Sequence, residues 1–394
     1  MKLLLSDYGG YAFIYDLSRA LARRGHEVIH VYTSDSASPQ GDFISENSLT
    51  VVNLRLPFDR KAGFLPRWAA ERAYGKMAAD LLQKERPDVI LAADTPLEAL
   101  RHIFAASRRC RIPFVFWWQD ILSDAMAAVL GKKLGVIGYA VGSCYRQIEK
   151  RCLQQSAGVI AVAEQFIERL RDWGIRQPNL HLIRNWASPD TIRPLPKDNE
   201  FSRRYGLMDR FVVLYAGTFG MKQNPQTLID AAKYLKSIQE ILFVVAADGV
   251  ALPFLQAKKR ELQLDNLLIL PLQPFRDLPL LLASGDVHLV LLNEDAARYS
   301  VPSKIWTACC AGRPILITAP ETSDAARYVR RIGVGEAVQT ASDLAAAVQQ
   351  LRRDEALRMT MGENGRRYAE QNFRLSTIAE RFEFVLNEAR KMRT

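Results

Sequence analysis

Short β-rich apolar runs alternate with longer helical patterns along the whole chain, and they do so in two successive series. The first series has runs at residues 3–5, 28–33, 89–91, 113–117, 159–162 and 181–183, with helical patterns at 11–24 and about 136–155 between them. The second has runs at 211–215, 243–246, 267–270, 287–292 and 314–318. Strand and helix in alternation predict parallel sheets flanked by helices, a class in which ligands bind outside the carboxyl ends of strands. Between the series, Pro189, Pro194 and Pro196 interrupt the periodicity and a charged stretch, 197–204, follows. We therefore expect a first α/β domain at 1–190, a linker at 191–205 and a second α/β domain at 206–372. In the remaining 373–394, Ile378, Phe382, Val385 and Ala389 fall on one face of a helix, so this segment should dock back, toward the first domain.

Composition narrows the class. With 48% hydrophobic and 24% charged residues the chain is globular rather than disordered. Its 53 basic and 43 acidic residues leave a formal charge of +10, which favours anionic partners without choosing among phosphates, nucleic acid and acidic membrane. The five cysteines, Cys110, Cys144, Cys152, Cys309 and Cys310, form no CxxC pair, so no disulfide framework or zinc site is expected and a reducing cytoplasm fits. The longest apolar stretch, 278–292, is broken by Gly285, Asp286 and His288, and no membrane span is predicted.

Three strand-to-helix loops could hold a diphosphate. In the first, Pro302 and Ser303 open a helix beginning near Lys304 and Gly312 stops it. Helix-start amides and a first-turn lysine would converge on one anion, and such a ligand would offset the lysine's unfavourable place in the helix dipole. The second loop holds Gly217, Thr218, Gly220 and Lys222, and the third Gly9 and Gly10 after the first strand. Either of these two serves as a plain tight turn as readily as a ligand loop.

Taken together, these residues resemble the retaining glycosyltransferases of family 4, particularly the branch building bacterial exopolysaccharide, O-antigen and colanic-acid-type polymers. The likeness rests on Gly9 and Gly10, Gln119 with Asp120, Asn185 with Trp186, Gln273 with Pro274, the Val301, Pro302, Ser303, Lys304 run and the Ala311, Gly312, Arg313, Pro314 run. It implies the GT-B fold, two Rossmann-like domains facing across a cleft. It also implies diphosphate contacts from Gly10, Lys222, Ser303 and Lys304, a nucleotide base near Gln273 and Pro274, and a sugar and acceptor near Asp120. Gly217 and Thr218 would line the donor site. The family's two glutamates separated by seven residues are replaced by Tyr299 and Thr307, so Glu294 or Asp295 would take over the donor hydroxyls and Thr307 or Glu321 the ribose.

The expected reaction is glycosyl transfer with retention, Lys222 and Lys304 stabilising the departing phosphate and Asp120 acting near the acceptor or capping the helix behind it. No paired aspartates suggest a metal, so neither metal nor cofactor is expected. The expected partners are a nucleotide-sugar donor and a glycan or polyprenyl-linked acceptor. An anionic membrane at the inner face of the plasma membrane is a candidate partner through the basic, aromatic stretch 58–68. A nucleotide-sugar epimerase of the same fold is the alternative. A nucleic-acid-binding role is less favoured, because Trp117, Trp118 and Trp186 sit at strand ends and form no surface stripe.

Overall fold

The structure, a computed structural model, describes residues 1–33, 44–56, 63–220 and 223–392. The chain divides into two compact units: Met1–Arg184 with Tyr299–Val301 and Leu375–Thr394, and Asn185–Arg298 with Pro302–Arg374.

The first unit contains strands β1 (Lys2–Asp7), β2 (Glu27–Tyr32), β3 (Leu49–Asn53), β4 (Val89–Ala93), β5 (Phe114–Trp118), β6 (Gly158–Ala161) and β7 (Leu180–Leu182). Its helices are α1 (Ala12–Arg23), α2 (Phe64–Glu85), α3 (Leu97–Cys110), α4 (Leu122–Leu134), α5 (Val136–Gln155) and α6 (Glu164–Asp172). The strands form one sheet in the order β3-β2-β1-β4-β5-β6-β7. Its pairings are parallel, for example Leu4 beside Ile29 on one side and Ile90 on the other. Strands covered on both faces must be apolar throughout, and every residue of β4 and β5 is buried.

The second unit opens with α7 (Glu200–Arg204) and continues through β8 (Phe211–Thr218), α8 (Pro225–Tyr234), β9 (Ile241–Asp248), α9 (Leu252–Glu261) and β10 (Leu267–Pro271). Next come α10 (Leu278–Ser284), β11 (Val287–Leu291), α11 (Glu294–Ala297), α12 (Lys304–Ala311), β12 (Ile315–Thr318), α13 (Asp324–Ile332), β13 (Gly335–Val338), α14 (Ala341–Arg353) and α15 (Glu355–Asn372). Its parallel sheet runs β10-β9-β8-β11-β12-β13. In both sheets the first strand lies centrally and the order reverses beside it, the arrangement of a Rossmann-like sheet.

The apolar stretch 278–292 resolves into α10 and β11, split where Gly285 and Asp286 stand. The proline-rich segment after Asn185 belongs to the second unit. Arg366 donates to the carbonyls of Pro189, Ile192 and Cys310, Arg313 donates to those of Leu195 and Ala283, and Asn199 caps α7.

The last helix, α16 (Leu375–Lys391), is part of the first unit and packs on α1 and the sheet. Ile378, Phe382, Val385 and Ala389 are all buried on it, with Ala379 and Leu386 beside them. Phe382 meets Trp117 with ring centroids 4.6 Å apart. His26 reaches Glu383 at 3.0 Å, and burial holds its imidazole below the usual pKa. Its role is structural, tying α16 to the start of β2. All five cysteines are unpaired, and among the described residues no helix is long and apolar enough to cross a membrane.

Candidate functional site

In the second unit the chain after β8 and the start of α12 come together. Gly217 adopts φ 111°, open only to glycine without strain, and a Cβ there would stand 3.2 Å from Lys304 Cε and 3.3 Å from Nζ. Glycine is thus favoured there by its backbone, and the lysine packs closely over the space beside it. The Lys304 ammonium lies 5.1 Å from the centre of the Tyr215 ring, a cation–π contact. Tyr215 is fixed in turn, its hydroxyl donating to the Thr218 carbonyl at 2.6 Å and its ring packing on buried Phe219 at 4.8 Å. Phe219 is locked by its amide bond to the Asp248 carbonyl, 2.7 Å, and Gly249 leaves room for it, since a Cβ would fall 2.3 Å from the Phe219 oxygen. Gln223 accepts from the Gly220 amide at 2.7 Å and closes the turn. Lys222 lies outside the described residues.

Helix α12 begins as the sequence predicts and ends at Gly312 in the left-handed conformation, φ 64°. Ser303 stands at its N-cap position, but its hydroxyl makes no capping bond and the residue is exposed. Thr307 turns its hydroxyl back to the Lys304 carbonyl, 2.9 Å. Behind the helix, burial lowers the Arg313 pKa while its guanidinium holds the Leu195 and Ala283 carbonyls. That pair of bonds gives the Gly312, Arg313, Pro314 run a structural purpose.

The other expected donor contacts, Gln273, Pro274, Glu294, Asp295 and Glu321, follow the carboxyl ends of β10, β11 and β12 in the same sheet. Glu294 pairs with Arg298 at 3.0 Å on the surface. Glu321 pairs with Arg330 at 2.6 Å, a bond that lowers its carboxyl pKa. Asp295 lies in the first turn of α11. Gln273 bonds the Pro271 carbonyl and Pro274 precedes a short turn of 3-10 helix, Phe275–Asp277.

In the first unit, buried Asp7 organises the glycine turn. Its carboxylate accepts from the amides of Gly10, 3.1 Å, and Tyr11, 2.7 Å. Burial raises the Asp7 pKa, opposed by His30 at 3.6 Å, which Ser18 orients at 2.8 Å. The Gly10 amide, expected to meet phosphate, is thus already committed to Asp7. At Gly9 a Cβ would lie 2.4 Å from the Tyr11 ring and 2.7 Å from Asp94 Oδ2, so a side chain there would displace both.

Asp120 sits at the end of β5 in a bridge with Ser300, beside which the Ile121 amide donates to the Tyr299 carbonyl at 2.9 Å. Tyr299, expected among the donor contacts, is thereby part of the first unit. The capping role considered for Asp120 belongs to another residue. Glu149, on α5, accepts from the Leu122 amide at 3.2 Å, the Ser123 amide at 3.1 Å and the Trp118 indole at 2.9 Å. It satisfies the α4 helix start and pins both sides of the loop that carries Asp120. Sequence inspection missed it, because a lone glutamate in a charged helical stretch carries no local sign of a distant partner.

Of the basic, aromatic stretch 58–68, residues 58–62 lie outside the described residues. Residues 64–68 are not a loop: they form the first turns of α2, with Phe64 and Leu65 exposed.

The family model described as "Glycosyl transferase 4-like domain" matches residues 9–186, and that described as "Glycosyl transferases group 1" matches residues 197–368. A glycosyl transferase of Escherichia coli (strain K12) bearing a colanic acid biosynthesis name, WcaI, is 26% identical over 319 residues, 76% of this chain and 77% of that protein. Two solved structures share the fold. Sucrose-phosphate synthase from Thermosynechococcus elongatus has a TM-score of 0.78 at 16% identity, with 98% of each chain covered. The Anabaena protein Alr3699/HepE in complex with UDP-glucose has a TM-score of 0.73 at 18% identity, covering 98% of this chain and 99% of that one. With one family signature on each Rossmann-like unit, and with the lysine, glycine and helix start assembled in the second, the chain belongs to the family 4 glycosyltransferases of GT-B fold.

Proposed function

We propose that this glycosyltransferase takes a sugar from a nucleotide-sugar donor and transfers it, with retention at the anomeric carbon, to a glycan or lipid-linked acceptor in bacterial surface polysaccharide synthesis. The observation that carries the donor assignment is the Lys304 ammonium held beside Gly217 at the start of α12. A cation at the positive end of a helix is disfavoured by a few tenths of a kcal/mol up to about 1, and an anion bound there removes the penalty. The Tyr215 face orients the ammonium, and the Ser303 hydroxyl, unused as a cap, stands at the same helix start. The colanic acid name of the E. coli relative supports the polymer class, and the UDP-glucose complex of the Anabaena protein supports a sugar nucleotide as donor.

In the proposed reaction the diphosphate oxygen that leaves the sugar gains charge, and Lys304 with the α12 amides stabilises it, without a divalent ion. Lys222 follows the same glycine turn in sequence and is assigned to the same anion. The acceptor attacks from the face the diphosphate vacates, Asp120 is assigned to the acceptor, and no covalent protein intermediate forms.

The test is a thermal-shift screen against nucleotides and nucleotide sugars, paired with product analysis using labelled donor. The cognate donor should raise the melting temperature, and Lys304→Ala should abolish that rise and lower turnover by two or more orders of magnitude, about 3 kcal/mol. Normal turnover in the variant would remove Lys304 from the mechanism. An isomerised free sugar nucleotide, formed with no acceptor present, would replace transfer by epimerisation.

A further inference from the structure

The hairpin of α4 and α5 ends in an apolar tip that the transfer reaction does not use. The two helices touch through backbone: a Cβ at Gly138 would fall 2.0 Å from the Leu130 oxygen, and one at Gly142 would fall 2.6 Å from the Ala127 Cβ. With glycine on the inner side, the bulky side chains at the turn stay largely exposed, the Tyr139 ring lying over Gly131. Val136 is 84% exposed, Ile137 69% and Tyr139 60%, and Val129 and Leu134 are exposed beside them. Single exposed apolar residues are ordinary, but five within eleven residues at one turn make a patch. Residues 125–145 carry two charges, Lys132 and Lys133, both exposed, and no acid. The nearest acid, Asp124, is neutralised by Arg146 at 3.1 Å and Arg169 at 3.0 Å.

The hairpin's direction follows from Glu149. Its bonds to the Leu122 and Ser123 amides set that point of α5 level with the end of β5, so residues 136–148 extend past the carboxyl ends of the strands. At 1.5 Å per residue the extension is about 20 Å. A second apolar end lies on the same side. Helices α2 and α5 each lead into a strand of one parallel sheet, so both run against the strands and both begin at the carboxyl end of the sheet. At the start of α2, Phe64 and Leu65 are exposed, the latter by 71%.

We infer that this end of the first unit rests on an anionic lipid bilayer, with the α4–α5 tip as its deepest element. Apolar side chains entering the acyl boundary while adjacent lysines meet acidic headgroups is the chemistry of an interfacial helix. The absence of acids from the tip matches a negative surface and disfavours a basic protein partner. This inference deepens the proposed function by naming the surface that would meet the membrane of a lipid-linked acceptor, and it depends on that reading for the acceptor alone.

The experiment is flotation of the full-length protein with vesicles of phosphatidylcholine, with and without phosphatidylglycerol. The wild-type chain should float with the anionic vesicles at low salt and much less with neutral ones. Val136→Ser with Ile137→Ser should lower the vesicle partition coefficient tenfold or more, and Lys132→Ser and Lys133→Ser about fivefold each. Met359→Ser, at an exposed apolar position of the second unit, should change nothing. A wild-type chain that stays at the bottom of the gradient, or tip variants that float as it does, would overturn the inference. So would a lipid-free dimer, seen by sedimentation, that the serine pair dissociates, since the patch would then be covered by a second copy. Donor-induced thermal shift is measured on the same proteins. Its absence from the wild type would count against the donor reading, and flotation would still decide the membrane surface.

Discussion

Glu149 accepts three N–H bonds and is also fully enclosed, and these two facts push its protonation in opposite directions. Burial prevails and raises its pKa from 4.5 to about 7, with the bonds from Ser123 and Trp118 opposing. Because the folded-state value lies above the unfolded one, the folded protein holds the extra proton between the two. Its contribution to stability is therefore fully present below about pH 4.5 and is lost as pH rises through about 7. The difference in unfolding free energy between wild type and Glu149→Gln should fall by about 3 kcal/mol across that window, read from urea melts at a series of pH values. A difference that stays level with pH would show that Glu149 titrates as an ordinary carboxylate. Legibility at this scale depends on whether a residue's partner is close in sequence. Lys304 could be singled out because proline, serine, lysine and a closing glycine announce a helix and its charged start within one stretch. The neighbouring Gly217 could be marked as a glycine turn, but the ammonium 3.3 Å from where a Cβ would stand appears only when the chain is folded. Gly10 is the opposite case: the Asp7 carboxylate that holds its amide lies only three residues before it, within the same turn.

Among the elements, α16 shows how far periodicity reaches. The stripe of Ile378, Phe382, Val385 and Ala389 predicts an amphipathic helix with a buried face, and all four are buried. The stripe does not identify what they meet, because the Trp117 partner of Phe382 is set by tertiary packing. Removing the ring leaves a cavity against Trp117, so Phe382→Ala should destabilise the first unit by about 3–5 kcal/mol. Met392→Ala, at the exposed residue directly after the helix, should stay within about 0.5 kcal/mol of wild type. Both are read by chemical denaturation, and an equal, small effect would mean that α16 is an ornament rather than part of the core. Strands and helices of both sheets are legible for the related reason that doubly covered parallel strands are apolar throughout. The segment after Asn185 is less so. Its prolines suggest a bare linker, whereas Arg313 and Arg366, far along the chain, capture five carbonyls, three of them in this segment. Arginine clamps of this kind leave no mark in the segment they hold.

For the molecule as a whole, two units with separate cores invite the question of whether they unfold together, and buried titrating groups of opposite sign supply a means of asking it. Glu149 belongs to the first unit and His288 to the second. Burial lowers the His288 pKa from 6.5 to about 4, Arg313 adds to the effect, and a bond from Nε2 to the Leu282 carbonyl opposes it. Here the unfolded chain takes up the proton first. Stability from neutral His288 is present above pH 6.5 and is lost as pH falls toward about 4, the reverse of the Glu149 dependence. His288→Gln keeps a side-chain N–H for the Leu282 carbonyl while removing the charge change, so it isolates the proton. The advantage of wild type over this variant should shrink by about 3 kcal/mol as pH falls from 6.5 to 4. If the units unfold independently, the His288 effect appears in one calorimetric transition and the Glu149 effect in another, the two moving in opposite directions with pH. If they unfold as a single body, both effects fall on one transition and partly cancel in the window they share. Calorimetry of the two single variants and the double variant decides between these, because additive shifts on a single transition and unlinked shifts on two are distinct outcomes.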